Sequence, residues 1–183
     1  PEAQAYLTLF PARVLAIVAN SLGTLAAVTV ALMGVRRRPL GNTLILAMGV
    51  MDQRPVEARA DVLVYTSAVM TDGLEVTGPI ALTLFAASSA PDTDFTAKLV
   101  DVHPDGYARN LADGIVRARY RGSRTTPALL TPGEVTQFTI DLWATSHVFL
   151  PGHRMRVEIS SSNFPRFDRN LNTGEDQATG TRW

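Results

Sequence analysis

Between Gly78 and Gly106 apolar residues recur at every second position. Ile80, Leu82 and Leu84 alternate with Ala81, Thr83 and Phe85, and Phe95, Ala97 and Leu99 alternate with Thr96, Lys98 and Val100. A period of two lines up one face of a strand, whereas a helix would scatter the same residues around its circumference. The connector SSAPDTD is made of small and turn-forming residues. HPDG closes the second run, with Pro104 fixing φ and Gly106 admitting positive φ. Both runs are read as strands of a sheet with one buried face.

The same period returns along the chain. Residues 59–67 hold a strand that is apolar on both faces at Val62, Leu63, Val64 and Tyr65, as suits a two-sheet core. In 114–121, Val116, Ala118 and Tyr120 face one way and Arg117, Arg119 and Arg121 the other. That basic stripe is expected to be a solvated face, or else a surface for docking another domain. Phe138, Ile140 and Leu142 share a face, and Met155, Val157 and Ile159 alternate with Arg154, Arg156 and Glu158. Many short strands separated by turn signals predict a mainly β, antiparallel sandwich of the jelly-roll (galactose-binding-like) kind.

Residues 1–38 differ in kind. The run 14–35 is uncharged and rich in Ala, Leu and Val, and Arg36, Arg37 and Arg38 follow it. This is the pattern of a membrane helix with a cytoplasmic basic flank, although Arg13 on the other side weakens the asymmetry. Three readings compete: a true span, a buried helix whose partner domain lies elsewhere, or residues from a wrong start or frame in the gene. The chain is therefore divided into an apolar helical segment, 1–38, and a sandwich domain, 39–183. The cytoplasm is the expected compartment, and membrane anchoring follows only if 14–35 is a span. Ala19-Asn20-Ser21-Leu22-Gly23 imitates a nucleophile elbow, but the sheet, acid and His that an elbow needs do not follow it. Ser21 is read as a small polar residue in an apolar helix.

Composition removes several kinds of chemistry. The chain has 183 residues, 46% hydrophobic and 19% charged, which is enough for one domain with a real core plus an extension. Basic and acidic residues number 17 each, so no charge imbalance points to nucleic acid. There is no Cys, hence no disulfide, thiolate metal site or Cys nucleophile. Ser146 or Ser160–Ser162 with His147 or His153 and Asp141 or Asp168 could be imagined as a triad, but no strained Gly-rich turn presents the Ser. His103 is read as solvent-facing, and His147 and His153 as ordering the FLPG turn. Asp92, Asp94, Asp101 and Asp105 lack calcium-loop spacing, and two His separated by five residues on a hairpin rarely bind zinc. The expectation is no catalytic residue, no cofactor and no metal.

Five blocks carry a resemblance. They are DQRPVEARADVLVYTS, LEVTGP, SSAPDTDFTAKLVDVHPDG, NLADGIVRARYR and SHVFLPGHRMRVEISSSNFPRFDRNLNTG, in this order. Over about residues 49–174 the chain resembles the C-terminal β-sandwich of the cocaine esterase and X-Pro dipeptidyl-peptidase family of α/β-hydrolases. The resemblance implies an upstream α/β-hydrolase domain bearing a Ser-His-Asp triad for ester or amide cleavage. It implies a sandwich that stabilises that domain, shapes its entrance or aids a homo-oligomer. The 163–170 loop is the candidate site of contact, through Asn163, Phe164, Arg166, Phe167 and Asp168. The alternative is a membrane-tethered sandwich that binds a carbohydrate or other ligand, which would want aromatics along one concave face. Aromatic content is only 7%.

Overall fold

The computed structural model of the chain describes residues 7–11 and 51–180. Its strands are β1 (Leu7–Pro11), β2 (Leu63–Thr66), β3 (Leu74–Ala86), β4 (Asp94–Val102), β5 (Ala108–Arg117), β6 (Thr136–Phe149) and β7 (Arg154–Ser160). A single helical turn, α1 (Arg54–Glu57), precedes β2, and a 3-10 turn at Ala118–Tyr120 follows β5. The strands form two antiparallel sheets, β1-β3-β6 and β2-β7-β4-β5. The mainly β, antiparallel expectation holds. The helical reading of 1–38 is corrected at Leu7–Pro11, which is a strand paired with Ile80–Leu84 of β3. The run 14–35 and the Ser21 pentapeptide lie outside the described residues. Among the described residues no helix is long and apolar enough to cross a membrane.

The core lies where the two apolar rows meet. Leu82 and Leu84 of β3 and Phe138, Ile140 and Leu142 of β6 pack on Phe95, Ala97 and Leu99 of β4 and Val157 and Ile159 of β7. Phe95 and Phe138 touch across the gap, with ring centroids 4.7 Å apart. Fully burying one such side chain stabilises by roughly 1.5–3 kcal/mol. The sheets approach closely at Gly114 of β5, where an added Cβ would stand 2.0 Å from the Asp141 carbonyl oxygen of β6. Only Gly admits that approach.

Two expectations about strand faces fail. The 80–86 and 95–100 runs are both strands, but they lie in different sheets, so their connector crosses the sandwich. β4 is also buried on both faces at all nine positions. Its inner face meets the core, and its outer face is covered by α1 and by the chain that follows β7. Lys98 reaches Gln53 at 2.8 Å, and Thr96 meets the Ser160 hydroxyl at 2.6 Å. A central strand covered on both sides has no solvated row to show as polar alternation.

A bulge re-aims β6. Pro79 pairs with Ala144 and Ala81 with Asp141, so Leu142 and Trp143 together face the single residue Ile80. Trp143 takes φ 66° and its N–H donates to Asp141 Oδ1 at 2.8 Å. The extra residue shifts the parity of the strand. Phe138, Ile140 and Leu142 point inward before it, and His147 and Phe149 do so after it.

Candidate functional site

The 163–170 loop is anchored to the β2-β7-β4-β5 sheet by a run of carboxylates. Asn163 is buried and its amide donates to Asp113 Oδ2 at 3.1 Å. Arg166 Nη1 reaches the same carboxylate at 2.7 Å. The Asn170 amide donates to both Asp92 Oδ2 and Asp94 Oδ1 at 2.8 Å. Those two carboxylates are held in turn by arginines. Arg117 meets Asp94 bidentately at 3.0 and 3.1 Å, and the Arg119 Nε donates to Asp92 at 2.7 Å. Burial pushes the Asp94 carboxyl up, against the lowering pull of the Arg117 and Asn170 hydrogen bonds.

The basic stripe expected at Arg117, Arg119 and Arg121 is therefore not a solvated face. β5 ends at Arg117 and the chain turns at Ala118–Tyr120, which sends Arg119 inward onto Asp92. Arg121 donates to the carbonyls of Ala118 and Ala128. The arginines secure the loop from beneath. The aspartates of APDTD are their partners, which is why they cluster without calcium-loop spacing.

Above these anchors the loop shows an aromatic and cationic face. Phe164 is 37% exposed, and the Arg169 guanidinium lies 4.6 Å from its ring centroid. Arg166 lies 5.5 Å from the centroid of the part-buried Phe167. Asp168 is exposed, with Arg117 at 3.8 Å. Of the five residues singled out from the sequence, Asn163 thus faces the sandwich and Arg166 spans both sides. Phe164 and Asp168 face outward, and Phe167 sits between.

Sequence reasoning missed two polar clusters. The first lies under α1. Lys98 Nζ stands 4.0 Å from Glu158 Oε2, and Glu57 and Arg156 pair beside them at 2.6 Å. Both oxygens of Glu158 are buried without a hydrogen-bond partner. Burial pushes its carboxyl up to about 8, with Lys98 pulling it down and Glu57 pushing it further up. Burial lowers Lys98 in the opposite sense, against the pull of Glu158. Lys98 and Glu158 line a narrow cleft with Val56, Arg59, Ser160 and Ser162.

The second cluster unites the chain's three histidines. Asp101 Oδ1 lies 2.8 Å from His153 Nδ1, and Oδ2 lies 3.0 Å from His147 Nε2 and 3.7 Å from His103 Nε2. His103 is therefore no isolated surface residue, and His147 and His153 are tied to β4 rather than to their own turn alone. The imagined triad does not form. Ser146 instead meets the Thr77 hydroxyl at 3.2 Å, and the carboxylate shared by the histidines is Asp101. The signal was present: the inward row Phe95, Ala97, Leu99 continues to Asp101, a charged residue on an apolar face.

The geometry defines a class: an antiparallel two-sheet sandwich whose described residues bring no hydroxyl nucleophile to a His–carboxylate pair. The model of the X-Pro dipeptidyl-peptidase C-terminal non-catalytic domain matches residues 3–182, and the chain belongs to that family. It is 57% identical over 138 residues to cocaine esterase of Rhodococcus sp. (strain MB1 Bresler), covering 74% of this chain and 24% of that protein. The chain thus spans about a quarter of the length of that relative. An aminopeptidase structure from the archaeon Thaumarchaeota archaeon aligns with TM-score 0.66 and 40% identity, over 68% of this chain and 22% of its own. An α-amino acid ester hydrolase structure aligns with TM-score 0.66 and 38% identity, over the same shares. The resemblance read from the five blocks is borne out.

Proposed function

We propose that the chain serves as the C-terminal sandwich of a serine hydrolase, which it joins to an upstream α/β-hydrolase domain carrying the Ser-His-Asp triad. Its work is to stabilise that domain and shape the rim of its entrance. The complete enzyme would cleave an acyl bond, ester or amide. The observation that carries this reading is the 163–170 loop. It is fixed from beneath by Asp92, Asp94 and Asp113, yet it turns Phe164 and Arg169 outward. A rigidly held aromatic and guanidinium pair is suited to the buried centre of a domain contact.

The jelly-roll assignment belongs to the same proposal, and the antiparallel orders β1-β3-β6 and β2-β7-β4-β5 support it. So does the division near residue 38, with 39–183 as the folding unit. The exposed aromatics Trp143, Tyr120 and Phe164 stand on different elements, not along one face as the carbohydrate-binding alternative requires.

The test is to read the genomic sequence upstream of Pro1 and co-express the segment found there with this chain. An in-frame α/β domain bearing GxSxG, co-purifying with the chain and hydrolysing nitrophenyl esters or X-Pro nitroanilides, is expected. An upstream segment without that domain overturns the proposal.

A further inference from the structure

We infer that Asp101, His103 and His153 form a divalent transition-metal site, with Zn2+ as the fitting ion, joining the end of β4 to the start of β7 at one end of the sandwich. Asp101 ends the inward row of β4, and His103 follows two residues on. His153 enters from the start of β7. One oxygen or nitrogen from each of the three lies within 4.8 Å of the others. A Zn2+ ion with arms of about 2.0–2.2 Å places tetrahedral ligand atoms roughly 3.4 Å apart. Asp101 Oδ1 stands 2.8 Å from His153 Nδ1, and Oδ2 stands 3.7 Å from His103 Nε2, so the three side chains are near the span that such an ion needs.

Three further features fit a cation. Asp101 is 2% exposed, and its ion-pair partners among the described residues are imidazoles alone, whereas Asp92 and Asp94 are each given an arginine. The His103 Nε2 atom is buried with no hydrogen-bond partner. It is a lone pair or N–H without a use in the fold, at a place where a ligand atom would have one. His147, on β6 of the opposite sheet, holds the second oxygen of Asp101 at 3.0 Å, as an orienting hydrogen bond to a ligating carboxylate should. The partly exposed edge of His103 supplies an entry path. On binding, His153 takes the tautomer with its proton on Nε2, which frees the Nδ1 lone pair, and that lone pair and an Asp101 carboxylate oxygen turn to the ion. The ion would tie the end of β4 to the start of β7, next to the His147 hydrogen bond that already reaches Asp101 from the other sheet.

The test uses the tag-free full chain, dialysed against chelator and then titrated with ZnCl2. The expected result is one Zn2+ per chain by native mass spectrometry and calorimetry, with a rise in Tm. Co2+ should give the visible bands of a low-coordinate site. His103→Gln is the decisive variant, because that ring nitrogen makes no hydrogen bond, so the variant should keep the fold, as circular dichroism would check. It should abolish one-to-one binding, while His147→Gln should weaken binding about 10–100-fold. Either of two results overturns the inference: no stoichiometric Zn2+ on the wild-type chain, or equal affinity in wild type and His103→Gln.

Discussion

Desolvation at Glu158 gives the sandwich a pH dependence with a definite sign. Its carboxyl titrates near 8 in the folded chain, against 4.5 for the unperturbed group. The folded state therefore holds a proton that the unfolded state releases. This contribution to stability is complete below about pH 4.5 and is lost as pH rises through about 8, with a slope of at most about 1.4 kcal/mol per pH unit. Glu158→Gln keeps the shape and removes the titration. Urea unfolding of both forms between about pH 5 and 8 should show the variant gaining on the wild type as pH rises. Parallel stabilities across that range would mean that Glu158 is solvated and ionised throughout. A second residue-scale prediction concerns Gly114. The atom an added Cβ would meet is a backbone oxygen, which no rotamer change can move aside. Gly114→Ala should cost on the order of 1–3 kcal/mol and lower Tm by several degrees. An unchanged Tm would show that the sheets separate there at little cost.

At the scale of elements, the inward rows of β3, β4, β6 and β7 were legible because alternation reports a contrast between buried and exposed faces. The outer face of β4 was not, because α1 and residues 160–163 cover it and the contrast disappears. Arg119 was misplaced for a related reason. Its parity with Arg117 assumes a continuing strand, and nothing in VRARYR marks the turn that breaks it. The histidine cluster needed both the bulge at Trp143, which moves His147 onto the inner face, and the pairing of β4 with β7. Pairings between distant strands are not written in local periodicity. β1 lies at the edge of this picture, since its five residues cover one side of β3. A chain beginning at Asp52 should still fold cooperatively, because β2 to β7 hold the core residues described. Its Tm should be lower, and the bared β3 edge should make it more prone to associate. Comparing circular dichroism melts and light scattering of the two lengths checks this. Absence of a cooperative transition in the shorter chain would place β1 inside the folding unit and refute a boundary near residue 38.

At the scale of the whole molecule, the loop's two faces make opposite demands that one substitution can separate. Asn163, Arg166 and Asn170 hold the loop to the sandwich, so changes there act wherever the sandwich is. Phe164 keeps 37% of its surface exposed, with the Arg169 guanidinium over its ring. In the isolated chain, Phe164→Ala removes one exposed cation–π contact, worth roughly 0.5–1 kcal/mol. If the ring is buried against the α/β-hydrolase domain, the same change in the complete enzyme forfeits roughly 1.5–3 kcal/mol of apolar burial. The expected pattern is therefore a small Tm shift in the isolated sandwich and a larger one in the two-domain enzyme. Any fall in kcat/KM should follow the loss of domain association. Phe167→Ala serves as the internal comparison, since its part-buried ring should cost stability in both contexts. If Phe164→Ala shifts the two Tm values equally, the loop does not face the catalytic domain, and its aromatic face is surface held only by its own arginine.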